Sequence, residues 1–178
     1  MADGATPLLV VDVQQGFLNE FTRHIPARIA RPIGRGRFAP VLFTRFINAP
    51  GSPYRAFLGW DARGTEPETT IAPELTFAKP GYAGIPETLG ALPREGGIEQ
   101  LTIRGIDTDM CVLKVAMDVF DLGIRPIVLT DCCASTAGMQ AHLAGLAVLA
   151  RNIGAEQLRD LGMNEGMLGA PNVVAADE

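Results

Sequence analysis

The stretch Pro7 to Val13 reads PLLVVDV, an aliphatic run interrupted only by Asp12. A continuous apolar run of this length fits a strand covered on both faces, the environment of a parallel sheet. Similar runs recur at Pro40 to Phe46 (PVLFTRF), Gln100 to Arg104 (QLTIR) and Pro126 to Thr130 (PIVLT), so four buried strands are expected. Helical periodicity lies between and after them. From Thr108 to Leu122, the residues Cys111, Val112, Val115, Ala116, Val119 and Phe120 recur at helical spacing, and Gly123 stands where a terminating glycine belongs. A second helix is expected from Ala137 to Arg151, with weaker patterns at Ile25 to Gly34 and Ile85 to Leu92.

Strands alternating with amphipathic helices imply right-handed βαβ units, hence an α/β fold: a three-layer α/β/α sandwich around a mainly parallel, Rossmann-like sheet. The 178 residues suit one domain, 1–178, with no internal repeat or linker. Asn48 to Pro73 is rich in Gly, Pro and Thr, carries the only tryptophan, Trp60, and reads as a long excursion of the kind that often serves function.

The net charge of −5 argues against nucleic acid or an anionic membrane as partner, because both demand clustered cations. Arg23, Arg28, Arg31, Arg35 and Arg37 form the densest basic group, with no interleaved aromatic to stack a base, and read as a solvated helix face. No stretch approaches the roughly 20 apolar residues of a membrane span, and Met1 to Pro7 lacks a basic leader segment. Three cysteines, two of them adjacent as Cys132 and Cys133, suit reduced thiols rather than a disulfide framework. A cytoplasmic location is expected.

Three residues at or beyond expected strand ends could carry chemistry. Asp12 closes the first strand, Lys79 lies in FAKPGYAG, and Cys111 lies in RGIDTDMCV, in the first turn of a helix. Each has an ordinary alternative: a turn residue, an exposed cation and a small buried filler, respectively. In a parallel sheet, however, the carboxyl ends of strands converge on one edge, where ligands bind. A thiol at a helix N-terminus is expected to have a lowered pKa. With a carboxylate to take its proton and a cation beside it, the three form a workable nucleophilic site. Phe17, Trp60 and Tyr82 are candidate pocket walls, and Arg45 is a candidate anchor for an anionic group. Cys132 and Cys133 follow a strand and read as filler; His142, on the late helix, reads as a packing or capping residue.

At these same residues the chain resembles the isochorismatase-like cysteine hydrolases. The likeness is carried by LLVVDVQQGFLNE, VLFTRFINAPGSPY, KPGYAG, RGIDTDMCVLKVAMDVFDLGI and IVLTDCCAST, in that order, over most of Pro7 to Arg151. The resemblance implies an Asp–Lys–Cys triad at Asp12, Lys79 and Cys111, and a cis peptide joining Ile106 to Asp107 that aims the N–H groups of Asp107 and Cys111 at an oxyanion. It implies hydrolysis of a small amide, carbamoyl or ureido C–N bond through a thioester, with a small-molecule substrate and a homo-oligomeric assembly. Nicotinamidases of this family carry a metal-binding Asp-x-His and a later His; here Asp61 is followed by Ala62 and Arg63, and the only histidines are His24 and His142. No metal and no cofactor are therefore expected. The competing readings are an isochorismatase-type vinyl ether hydrolase, which does not depend on a thiol, and a thiol redox sensor or binding protein using Cys132 and Cys133.

Overall fold

A computed structural model describes residues 6–33, 38–61, 75–82 and 98–161. Six strands form one sheet: β1 Thr6–Val11, β2 Phe38–Phe46, β3 Leu75–Lys79, β4 Gln100–Ile106, β5 Arg125–Ala134 and β6 Leu158–Arg159. Their order is β3-β2-β1-β4-β5-β6, and every neighbouring pair is parallel. The chain builds outward from β1 in one direction, then returns to the other side of β1 at β4. The carboxyl edge between β1 and β4 is thus a topological switch point, where a crevice opens in doubly wound sheets.

All four expected strands form, with shifted ends, and two more join them. β3 is an edge strand whose Leu75 is half exposed, so it lacks the unbroken apolar run of a doubly covered strand. β6 spans two residues, below what periodicity can register.

Side chains alternate between the two faces of the sheet. Leu9, Val11, Leu42 and Ile103 pack with Val115, Ala116 and Val119 of α3 (Leu113–Asp121) and with Leu149 and Ile153 of α4 (Met139–Ile153). Leu8, Val10, Phe43, Ile127 and Leu129 pack with Ile25 and Ile29 of α1 (Ile25–Ile33) on the other face. This is the expected three-layer α/β/α arrangement. A short helix, α2 (Pro53–Leu58), occupies the early part of the excursion, capped by the Ser52 hydroxyl and ended by Gly59 at φ 60°. The helix expected at Ile85 to Leu92 and the excursion from residue 62 to 73 lie outside the described residues. Among the described residues no helix is long and apolar enough to cross a membrane.

One glycine sets the geometry where β1 and β4 meet. Gly105 has φ 138°, and a Cβ built on it falls 2.1 Å from the Val11 carbonyl oxygen. Only glycine permits this approach. It lies immediately before the Ile106–Asp107 peptide, which is cis.

Candidate active site

Asp12, the first residue beyond β1, has φ 48°, an uncommon conformation for a residue other than glycine. Its backbone N–H donates to the Thr44 carbonyl, and the Thr44 hydroxyl donates to Asp12 Oδ1 at 2.8 Å. The remaining carboxylate oxygen, Oδ2, stands 2.6 Å from Lys79 Nζ, and both side chains are almost sealed from solvent. Register explains the meeting: Val11 pairs with Thr44 and Phe46 with Lys79, so the ends of β1, β2 and β3 stand side by side. The Lys79 ammonium also donates to the Gly81 carbonyl at 2.9 Å and to Cys111 Sγ at 3.3 Å. Lys79 is the hinge of the cluster, touching the carboxylate and the sulfur at once.

Cys111 lies in a single π-helical turn, Thr108–Val112, that precedes α3; the turn is closed by the Val112 N–H donating to the Asp107 carbonyl at 2.9 Å. Such turns inside helices recur at functional sites. The expectation of a lowered thiol pKa is corrected here. Burial, followed by the charge of Asp12, pushes the Cys111 thiol up to about 12, against the opposing pull of Lys79. Burial and the facing Asp12 carboxylate thus favour the protonated sulfur at rest. Burial alone would lower the Lys79 pKa, but Asp12 and Cys111 together carry it above the ordinary lysine value, so the ammonium stays charged.

Cys111 opens onto a cavity of about 310 Å³. Phe17, Phe46, Tyr54, Trp60 and Tyr82 supply aromatic walls, with Leu58 and Met110 adding aliphatic surface. Phe17 and Trp60 stack with centroids 5.7 Å apart, and Tyr54 meets Tyr82 edge-on at 4.9 Å. The Tyr54 hydroxyl accepts the Tyr82 N–H at 2.8 Å, which ties α2 to the segment after β3. Asp107 and Thr136 complete the lining. The Asp107 carboxyl accepts the Thr136 N–H on Oδ1 at 2.6 Å and the Thr136 hydroxyl on Oδ2 at 2.9 Å. Even so, burial raises its pKa to about 6.

Of the residues singled out from sequence, Asp12, Lys79 and Cys111 come together, and Phe17, Trp60 and Tyr82 line the cavity beside the sulfur. Arg45 does not belong with them. It sits in β2 between Thr44 and Phe46 and is not among the residues lining the cavity, because alternation along the strand sends it elsewhere. Cys132 and Cys133 lie inside β5 rather than after it, are buried, and pack into opposite faces of the sheet, so they do not face one another as a redox pair would. His142 Nδ1 is 2.8 Å from the Thr108 hydroxyl, buttressing the nucleophile turn. Asp61 pairs with Arg55 at 2.8 Å, and among the described residues no group of three or more His, Cys, Asp or Glu could hold a metal ion.

Thr44, Phe46, Tyr54 and Thr136 were not anticipated. Thr44 carried a signal: a hydroxyl inside a doubly covered strand needs a buried partner, and Asp12 is that partner. The others depend on how loops fold back over the sheet edge, for which spacing holds no cue.

A thiol, a carboxylate and an ammonium meeting at the switch point of a doubly wound parallel sheet define an α/β protein equipped for nucleophilic chemistry. The chain belongs to the isochorismatase family: the profile described as "Isochorismatase domain" matches residues 6–159. It is similar to ureidoacrylate amidohydrolase RutB of Methylobacterium radiotolerans, at 28% identity over 94% of this chain and 81% of that one. It is also similar to isochorismatase domain-containing protein 2 of Rattus norvegicus, 29% identical over 49% of this chain; that match spans only 40% of the rat protein's length. Among solved structures, the N-carbamoylsarcosine amidase of Thermoplasma acidophilum superposes with a TM-score of 0.71 at 24% identity, covering 91% of this chain and 99% of that one. An isochorismatase-like hydrolase of Alkaliphilus metalliredigens gives 0.76 at 18% identity, covering 88% and 95%. At these identities the structural matches speak for the fold.

Proposed function

We propose that this protein hydrolyses a small amide, carbamoyl or ureido C–N bond with Cys111 as nucleophile, Asp12 as proton carrier and Lys79 as electrostatic partner. The observation that carries this reading is the Lys79 ammonium standing 2.6 Å from Asp12 and 3.3 Å from Cys111 Sγ beside a cavity. The names of the similar proteins, a ureidoacrylate amidohydrolase and an N-carbamoylsarcosine amidase, support the bond class.

The raised thiol pKa gives the mechanism its order. Sulfur is not ionised in advance; its proton passes to Asp12 as Sγ attacks the carbonyl carbon. The carbonyl electrons move onto oxygen, where the backbone N–H groups of Asp107 and Cys111 are the proposed donors. Collapse expels the amine, which takes the proton from Asp12 and leaves a thioester. Water, deprotonated by Asp12, then releases the acid and restores the thiol. Lys79 pairs with Asp12 and offsets the thiolate as it forms, a task for which its raised pKa suits it.

Ammonia release from a panel of small amides and ureido compounds tests this reading. Wild type is expected to turn over at least one member, and Cys111→Ser to lose at least about 10³-fold in rate. Full ammonia release by Cys111→Ala would contradict the thiol mechanism, whereas a wild type that releases no ammonia but cleaves a vinyl ether, with Cys111→Ala equally active, would assign the site to thiol-independent vinyl ether cleavage. Two further properties belong to the same proposal. The chain works as a homo-oligomer, supported by Met139 and Leu143, exposed one turn apart on α4; light scattering that returns only the 18.9 kDa monomer would contradict it. It resides in the cytoplasm, where its three free cysteines stay reduced.

A further inference from the structure

The proposed chemistry uses the backbone of Asp107 and leaves its side chain unexplained. That side chain is a carboxyl, 7% exposed, in the lining of a cavity whose other walls are largely aromatic and aliphatic. A carboxylate offers about four acceptor positions, and Thr136 fills one on each oxygen. Two acceptor positions stay available in surroundings with little else to satisfy them.

Charge in the neighbourhood does not neutralise it. The Asp12 and Lys79 charges offset one another 2.6 Å apart, and the Lys79 ammonium is already spoken for by Gly81 and Cys111. Among the described lining residues there is no Lys, Arg or His. The lone acid is joined by ring surfaces from Phe17, Tyr54, Trp60 and Tyr82, and the faces of such rings attract cations. Two independent features, a half-satisfied carboxyl and an aromatic enclosure, favour the same ligand chemistry.

We infer that Asp107 is a specificity-determining residue that makes this pocket prefer substrates bearing a cationic nitrogen group near the scissile bond and reject anionic ones. The inference rests on the pocket beside Cys111 being the substrate site, as proposed above. It replaces the anchor for an anionic group expected of Arg45 with a selector for cations. The carboxyl need not touch the reacting atoms, and it acts by deciding which substrates settle beside them.

Binding can be read without turnover, because Trp60 is the only tryptophan and lines the cavity. Its fluorescence is titrated with three probes that share a benzyl group: benzyltrimethylammonium, benzyl alcohol and benzylsulfonate. Wild type at pH 8 is expected to bind the cation at least about 30-fold more tightly than the anion, with the alcohol between them. Asp107→Asn is expected to bring cation and anion within about 3-fold while leaving the alcohol unchanged, which also reports that the pocket is intact. A second arm needs no variant. Asp107 faces Asp109 from its own turn, Asp12 from β1 and Tyr82 from the segment after β3, with Cys111 four residues on in the same cavity lining. With its pKa raised to about 6, lowering the pH from 8 to 5 should weaken the cation's binding and leave the alcohol's alone. Equal binding of cation and anion by wild type, or an unchanged ratio in Asp107→Asn, overturns the inference. Because no hydrolysis enters the readout, failure of the amidase proposal would show separately, as absent ammonia release from an enzyme that still sorts these probes.

Discussion

Asp12 and Lys79 form an ion pair that water scarcely reaches, and each has value only while the other is present. Removing one partner of a buried pair leaves an uncompensated charge and costs about 3–5 kcal/mol, whereas replacing both by neutral groups can be nearly free. Lys79→Met should therefore lower stability by that order in urea unfolding, and adding Asp12→Asn should restore most of it while activity stays absent in both. A single substitution costing under about 1 kcal/mol would contradict the pairing. Asp107 obeys a different sign. Its folded pKa of about 6 lies above the unfolded value of 3.8, so the native state holds that proton more tightly. The resulting stabilisation is complete below about pH 4 and is lost as pH climbs through about 6. Asp107→Asn is accordingly expected to exceed wild type in stability by on the order of 2–3 kcal/mol at pH 8 and to match it near pH 4, measured by unfolding across pH. The meeting of Asp12 and Cys111 was legible because strand ends in a parallel sheet converge, and that of Lys79 with them through its FAKPGYAG motif. The ionisation state of the thiol was not, since a helix N-terminus argues for a lower pKa and only coordinates reveal burial and a facing carboxylate that outweigh it.

At the scale of elements, two glycines govern where the nucleophile turn can sit. Gly105 admits the Val11 carbonyl to a distance no Cβ could share, directly ahead of the turn bearing Asp107. Gly145, in the middle of α4, brings that helix against the π turn: a Cβ there would fall 2.7 Å from Asp109 Cα and 2.8 Å from its nitrogen. Read from sequence, Gly145 is merely an interruption of an apolar helix; its purpose depends on a neighbour 36 residues earlier in the chain. Gly145→Ala should cost about 1–3 kcal/mol by overpacking and, by displacing the turn, reduce kcat/KM by at least about 10-fold while the fold persists. A variant with wild-type kinetics and stability would show that α4 does not brace the site. The strands β1, β2, β4 and β5 announced themselves through runs rich in apolar residues, because both their faces are covered. β3 and β6 were silent, one an exposed edge and the other only two residues long. Lys79 closes one of those silent strands, so its place at the site came from its motif rather than from periodicity.

Across the whole molecule, the sheet order explains why residues so distant in sequence act together. β1 lies between β2 and β4, and its carboxyl end is the one location that strands from both halves of the chain can reach. Asp12 arrives on β1, Lys79 from the β2 side and Cys111 from the β4 side, while α2 and the segment after β3 bring aromatic rings over the opening. Alternating strands and helices made that architecture readable, and right-handed crossovers put helices on both faces once the strand order reverses at β1. What the pocket encloses was less readable, since it depends on excursions whose paths no periodicity describes. The central claim is that Cys111 forms a covalent bond to the acyl group, and it can be seen directly. Intact-mass spectrometry of the protein quenched during turnover of an amide substrate should show one added acyl group, mapped by peptide analysis to Cys111, and none in Cys111→Ala. Undiminished turnover by Cys111→Ala, with no adduct on wild type at any quench time, would contradict it.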